Sequence, residues 1–381
     1  MKRCGSERYT AMNNEIYWLW LTLKSELNHK DISALLDKFG NAKEIYNADD
    51  LDGICNISDD AVKSVMNKSL AYAYEVQAKI RHMGGYIVTI EDSEYPDLLK
   101  SIYNPPLVLY MLGEHMDWEN LLTITIVGSR TYNDYGRKVT EHIAGDLAKS
   151  GITIVSGMAR GIDSIAGGEA LKSGGKTVAV LGSGLDVIYP PENRELYQRI
   201  KENGVIITEY PPGTRPLREN FPRRNRIMAG LSYGVLITQA PKKSGALITA
   251  SYAVESGRDV FSIPADIFML ESEGSNALLS QGARAVMSAQ DIIDEYPYFN
   301  FEILDKSENN ENKENKLDKI DFSSLNELQI KIVKCLNNES CHIDELSREI
   351  GIASFEIDAE LVMLELIGIV RKLSGNIYEL A

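Results

Sequence analysis

The chain is poor in the residues that hold metals or disulfides. Its four cysteines, Cys4, Cys55, Cys335 and Cys341, include no Cys-x-x-Cys pair, and no histidine stands at ligand spacing from two of them. That excludes the usual zinc patterns and leaves reduced, mostly structural thiols as the expectation. Long apolar runs are missing too. Lys2 and Arg3 precede an apolar stretch at 16–23, but it is short, lacks a small-residue cleavage site and continues into polar sequence. It reads as a buried helix of a cytoplasmic protein rather than a signal peptide or a membrane span. Positive charge is in deficit: 40 Lys and Arg face 55 Asp and Glu, a formal net charge of -15. A protein of that balance does not coat duplex DNA by overall charge, so any nucleic-acid contact rests on a local patch. Nucleotide motifs are absent as well. No Walker sequence occurs, Arg130 follows Gly128-Ser129 where a dinucleotide loop needs its second glycine, and Val187 replaces the third glycine after Gly182-Ser183-Gly184. No cofactor and no metal are expected.

At 381 residues the chain has room for two or three domains. Residues 13–84 read as short helices. Asp31 is the expected cap of a segment ending at Phe39, with Gly40 as its stop, and Asp59 the cap of a longer one through Ala78. Ile32, Leu35 and Leu36 share a face, as do Val62, Val65 and Met66. A proline-punctuated bridge follows at 95–110. From about 121, short apolar strands at 123–127, 153–156, 177–181, 205–208, 235–238 and 260–263 alternate with helical segments such as 137–149. Strands buried on both faces and separated by helices define an α/β fold, a Rossmann-like, doubly wound, mostly parallel sheet. Residues 302–321 are too polar to bury a core and read as a flexible linker. Three helical segments near 325–336, 342–350 and 354–367, then strands at 369–373 and 377–380 around Ser374-Gly375-Asn376, predict a winged-helix-like unit. The expected domains are a small helical, SAM-like one at 1–90, the Rossmann-like one at 91–300, a linker at 301–322 and the winged-helix-like one at 323–381.

Against the overall acidity, five arginines crowd between Arg215 and Arg226, with Phe221 among them. Guanidinium forks suit phosphates and a flat ring suits a base, which is the chemistry of single-stranded nucleic acid. A solvated loop balancing nearby carboxylates is the competing reading. In an open α/β sheet, ligands gather outside the carboxyl ends of the strands. Four glycine-containing turns fall there: Gly128-Ser129-Arg130, Ser156 to Asp163, Gly182 to Asp186, and Ser244-Gly245-Ala246. Such turns admit close backbone approach, and the helices after them offer N–H donors to anions. Arg130 is expected on phosphate, and Arg160 equally on phosphate or in solvent. Asp163 and Asp186 read as a carboxylate pair or as tethers of their own loops. His142 is the only histidine between 121 and 300 and reads as a surface residue.

Together these residues resemble the DNA-processing protein A family (DprA, also called Smf), the loaders of single-stranded DNA in bacterial transformation. The resemblance is carried, in family order, by 126–130 (IVGSR), 156–163 (SGMARGID), 180–190 (VLGSGLDVIYP), 209–213 (EYPPG), 220–227 (NFPRRNRI) and 243–249 (KSGALIT). It implies a non-enzymatic, homodimeric protein that binds single-stranded DNA without sequence preference and helps place RecA recombinase on it. It also implies DNA-binding roles for Arg130, Ser156, Gly157, Arg218, Phe221, Arg224, Asn225, Ser244 and Gly245; with Gly128, Ser129 and Arg160 from the turns above, these make up the expected DNA-binding set. Two departures, Gly167 where the family often has His and Gln239 where it often has an acidic residue, are expected at the pocket floor, where they bear on a small-ligand role. The alternative is a nucleotide-sensing or nucleotide-hydrolysing protein, since the same Rossmann variant resembles nucleoside-monophosphate phosphoribohydrolases. Their Pro-Gly-Gly-x-Gly-Thr loop is replaced here by Lys242-Lys243-Ser244-Gly245. Segment 354–367 holds Glu356, Asp358, Glu360 and Glu365 and no Lys or Arg. The terminal domain is therefore expected to bind protein, or the body of its own chain, rather than duplex DNA.

Overall fold

The structure, a computed structural model, describes residues 14–54, 57–299, 325–336, 341–372 and 377–380. They belong to two compact units, 1–304 and 305–381. The linker expected at 301–322 and the turn at 374–376 lie outside the described residues.

Among the described residues the first unit opens with five helices: α1 (14–22), α2 (His29–Phe39), α3 (Ala42–Asn47), α4 (Asp59–Met66) and α5 (Ala71–His82). The apolar stretch that begins at Ile16 lies in α1, with Ile16, Trp18, Leu19, Trp20 and Leu21 buried. Local rules place the helix caps one to three residues ahead of expectation. Asn28, not Asp31, caps α2, because its extended backbone lets the amide oxygen accept from the Lys30 and Asp31 amides while the Asp31 carboxylate reaches back to the Asn28 amide at 3.0 Å. Ser58 likewise replaces Asp59 as the cap of α4. The single helix expected through Ala78 is two, α4 and α5, broken where the Asn67 carbonyl accepts the Trp20 indole and the Lys24 ammonium, both at 3.1 Å.

A nine-stranded sheet follows, in the order β1-β2-β6-β5-β4-β3-β7-β8-β9. All six expected strands are present to within a residue: β3 (Thr123–Val127), β4 (Thr153–Ser156), β5 (Thr177–Val180), β6 (Gly204–Thr208), β7 (Gly234–Ile237) and β8 (Asp259–Ser262). They are mutually parallel. The additions are β1 (Tyr86–Thr89), β2 (Val108–Gly113) and the two-residue β9 (Arg284–Ala285). β2 pairs antiparallel with both β1 and β6. Pro105 and Pro106 made this stretch read as a bridge, yet proline at a strand's start costs no ladder bond, and Val108 to Leu112 are all buried.

The intervening helices are α6 (Asp97–Lys100), α7 (Asp134–Lys149), α8 (Ile162–Lys172), α9 (Arg194–Asn203), α10 (Asn220–Gly230), α11 (Ala246–Glu255), α12 (Glu273–Ser280) and α13 (Gln290–Ile293). From β3 the chain winds outward through β4, β5 and β6, then returns by way of α10 to β7 on the other side of β3. The loops after β3 and β7 therefore diverge and leave a crevice at the carboxyl edge. One face of the sheet is closed by the N-terminal helices: Trp18, Leu19, Leu35 and Ile80 bury into one cluster with Tyr110, Leu181 and Ile206.

The second unit contains α14 (Glu327–Cys335), β10 (Cys341–His342), α15 (Ile343–Ile350), α16 (Ser354–Leu366), β11 (Val370–Lys372) and β12 (Ile377–Leu380). The strands pair antiparallel in the order β10-β12-β11, the arrangement of a winged helix. Its core gathers Ile332, Val333, Leu346, Ile357, Leu361, Leu364 and Tyr378. Among the described residues no helix is long and apolar enough to cross a membrane.

Ile154 on β4 is fully buried among side chains of β3, α7 and α8. Ile154→Ala is expected to destabilise the first unit by about 2–5 kcal/mol, through lost burial and a residual cavity. A urea denaturation curve checks this, and an unchanged midpoint contradicts the central placement of β4.

Candidate nucleic-acid interface

The crevice encloses a cavity of about 560 Å³. One wall is Gly128 to Thr131, following β3. A second is Pro216, Arg218, Phe221 and Pro222, leading into α10. The third is Pro241 and Lys243 to Ala246, with Ile248 and Thr249, on the way into α11. Asp163, Arg224 and Asn225 are among its buried members. Nine of the twelve expected site residues meet here: Gly128, Ser129, Arg130, Arg218, Phe221, Arg224, Asn225, Ser244 and Gly245.

The inner end is built around a buried cation. Arg224 is only 3% exposed, and its Nη1 donates to the Val180 carbonyl at the end of β5. A Cβ on Gly157 would lie 2.0 Å from that Nη1, so glycine at 157 is what gives the guanidinium its room. Ser156 fastens β4 to β3 by donating to the Ile126 carbonyl at 2.8 Å. Ser156 and Gly157, expected to line the pocket, thus support it from behind. Burial pushes the Arg224 pKa down to about 10, the Asp163 carboxylate opposing that fall, and Arg224 stays charged at neutral pH. Burial likewise raises the Asp163 carboxyl, against the pull of Arg224 and Arg130. Asn225 donates to the Gly245 carbonyl at 3.3 Å and ties α10 to the start of α11. Thr249 Oγ1 and Arg224 Nε are buried and have no hydrogen-bond partner.

The rim is an interleaved row of cations and rings. The Arg130 guanidinium lies 5.3 Å from the centre of the Phe221 ring, Phe221 lies 5.7 Å from Tyr189, and Arg160 lies 5.8 Å from Tyr189. Arg160 itself is outside the cavity lining, and its guanidinium is ion-paired with Glu192. The arginine cluster divides by burial. Arg215, Arg218 and Arg223 are exposed, Arg224 is buried, and Arg226 is locked in an ion pair with Glu209. The crevice therefore draws two of the five, with Arg130 and Lys243 contributed by other loops.

Helix amides contribute less than expected. In α11 the Ala246, Leu247 and Ile248 amides are already bonded, to the Ser244 hydroxyl, the Ser244 carbonyl and the Gly245 carbonyl. Those three amides are therefore not free donors. The two departures from the family pattern are not on the pocket floor. Gly167 sits in α8 against Thr177 of β5, and the buried Gln239 faces α7, donating to Asn133 at 2.9 Å. The carboxylates separate as well: Asp163 lines the cavity, whereas Asp186 accepts the Gly213 amide at 2.8 Å and tethers its loop. His142 is exposed beside Asp146. The residues that sequence reasoning passed over are Tyr189, Lys243 and Thr249. Tyr189 lies in the 180–190 motif, and Lys243 and Thr249 open and close the 243–249 motif, so the family pattern was a usable signal for all three.

A mostly parallel open sheet with an arginine-, lysine- and aromatic-lined crevice at its switch point is a Rossmann-like architecture. Comparison makes this specific. Residues 86–297 match the DNA recombination-mediator protein A family, and residues 323–376 match the DprA winged helix domain. The chain belongs to this family. It is 38% identical over 317 residues to the protein Smf of Synechocystis, covering 77% of this chain and 79% of that one. The crystal structure of DNA processing protein A from Streptococcus pneumoniae superposes with a TM-score of 0.66 at 35% identity, over 75% of this chain and 99% of that one. The Helicobacter pylori protein, whose structure describes a single-stranded DNA binding mode, superposes at 0.51 and 34% identity, over 56% of this chain and 96% of that one.

Gly157→Ala is expected to drive the Arg224 guanidinium from its seat and cost about 1–3 kcal/mol, the usual effect of overpacking. A thermal melt measures it. For Asp163 the folded-state pKa lies above the unfolded one. Its contribution thus favours folding below the raised pKa and is lost as pH rises through it. Wild type is expected to gain stability relative to Asp163→Asn as pH is lowered from neutrality toward the ordinary aspartate value of about 4, in paired urea titrations.

Proposed function

We propose that this protein binds single-stranded DNA in the crevice without sequence preference, and promotes loading of RecA recombinase onto that strand. It works as a homodimer and catalyses no reaction. The observation that carries this reading is the Arg130–Phe221 pair at the rim, one guanidinium held over one ring, with Arg218 and Lys243 in the lining of the same cavity. Phosphates of any sequence meet the cations and any base stacks on the ring, which gives affinity without readout. Family membership supports the same conclusion. The DNA-contacting set is Gly128, Ser129, Arg130, Arg218, Phe221, Arg224, Asn225, Ser244 and Gly245, backed by Ser156, Gly157 and Arg160. Arg224 contributes field from below rather than a surface contact. The non-catalytic reading is supported by the lining, which contains no histidine, cysteine or glutamate and one carboxylate, Asp163, facing Arg224 and Arg130. The working division is a helical module at 1–90, the DNA-binding body at 91–300, a linker at 301–322 and a terminal module at 323–381.

One observation favours a second reading. The unpartnered Thr249 hydroxyl and Arg224 Nε suit a compact polar ligand such as a nucleotide.

Fluorescence anisotropy with labelled oligothymidine and a matched duplex, at two salt concentrations, separates the readings. The single strand is expected to bind in preference. Arg218→Ala is expected to lower the slope of log K against log salt by about 0.7, the share of one phosphate contact on a single strand. Phe221→Ala is expected to remove about 1–3 kcal/mol whatever the base. Absence of wild-type binding to the oligonucleotide, together with saturable binding of a free nucleotide, transfers the crevice to the second reading.

A further inference from the structure

The third helix of the winged-helix unit, α16, is apolar on two opposite faces. Ile357, Leu361 and Leu364 are fully buried and face the unit's own core. On the opposite side, Phe355, Ala359 and Val362 follow one another at helical spacing, with Met363 beside them, and all four are exposed. Phe355 is 75% exposed, Val362 47% and Met363 52%. A helix with a second apolar line opposite its core face normally buries that line too, and an outward stripe led by a phenylalanine is what an interaction face looks like before its partner arrives. In a DNA-reading winged helix this same face enters the major groove and carries cations.

Carboxylates border the stripe on both sides. Counting 100° per residue, Glu356 falls on one flank of the Phe355–Ala359–Val362 line, and Asp358 and Glu365 fall on the other; all three are exposed. Asp358 accepts the Tyr378 hydroxyl at 3.2 Å and Glu365 accepts the Lys372 amide at 3.4 Å, so both flanking positions are fixed against the strands. The basic side chains Arg371 and Lys372 belong to β11 and not to α16. Lys372 stands beside Asp358 and Glu365, and α16 itself carries no cation, so its outward face lacks the phosphate clamps of a groove-reading helix. That face repels a second copy of itself, since acid would face acid across the stripe.

We propose that the outward face of α16 is a docking ridge for a protein helix of complementary chemistry: an apolar stripe bordered by lysine or arginine. The apolar line supplies the contact area and the bordering carboxylates fix register and partner choice, the division of labour of helix pairs whose seam is apolar and whose edges are charged. The ridge lies outside the unit that contains the crevice and adds a protein-binding function separate from the strand-binding one.

The test uses the full-length protein and two fluorescein-labelled helical peptides sharing one leucine stripe, one bordered by lysine and the other by glutamate. Anisotropy is expected to show saturable binding of the lysine peptide and none of the glutamate peptide. Phe355→Ser combined with Val362→Ser, both at exposed positions, is expected to weaken the lysine peptide roughly tenfold or more, the loss expected from two apolar contacts. An unchanged thermal melt shows that fold is not the cause. Glu356→Lys combined with Glu365→Lys is expected to reverse the preference in favour of the glutamate peptide. Equal binding of the two peptides, or a lysine-peptide affinity that the serine variant leaves unmoved, overturns the proposal. So does a duplex oligonucleotide that binds more tightly than the lysine peptide and is lost in the serine variant.

Discussion

A guanidinium held almost out of water organises the crevice. Arg224 has to be charged, because its pKa falls only to about 10, and has to be desolvated, because α10 packs it against the end of β5. A buried cation is tolerable only with compensation, and the surroundings supply it. The Val180 carbonyl takes one of its N–H groups, the Asp163 carboxylate supplies the opposing charge, and Gly157 vacates the volume of a Cβ. Three loops, those after β4, β5 and β6, are thereby committed to one geometry. The exposed cations of the rim stand on that fixed base, where a ligand meets Arg130 and Arg218 already placed.

Topology explains why the crevice collects residues from such distant stretches of chain. The reversal of winding at β3 leaves the turns after β3 and β7 free of each other, and α10 spans the return between the two halves of the sheet. Its first turn therefore lies at the same edge as Ser129-Arg130 and Ser244-Gly245. Arg130 and Phe221, 91 positions apart by their numbering, meet at 5.3 Å for this reason. Acidity elsewhere on the chain does not oppose the site, because screening confines its reach to about a Debye length.

Much of the sheet was legible because period and length carry it. Six apolar runs bounded by glycine turns became six parallel strands, while β2 was hidden by the two prolines just ahead of it and β9 by having only two residues. The site was legible as composition and less so as geometry. Spacing could not say that Arg226 closes on Glu209 or that Arg224 turns inward, since both are decided by which face of α10 packs on the sheet. Nor could it show that Gln239 is turned away from the cavity toward Asn133. Helix caps shifted by one to three residues, as at Asn28 and Ser58, because neighbouring residues of similar capping ability compete and tertiary packing chooses between them.

The N-terminal helices donate nothing to the crevice, yet they share one continuous core with the sheet, with Leu19 and Leu35 joining Tyr110 and Ile206. Had the chain begun at β1, the strands β2, β5 and β6 would turn an oily flank to water and invite sticking. Any shortened relative would need polar replacements along that flank or a new cover. The helices thus roof that flank, and their contribution bears on solubility rather than on the crevice itself.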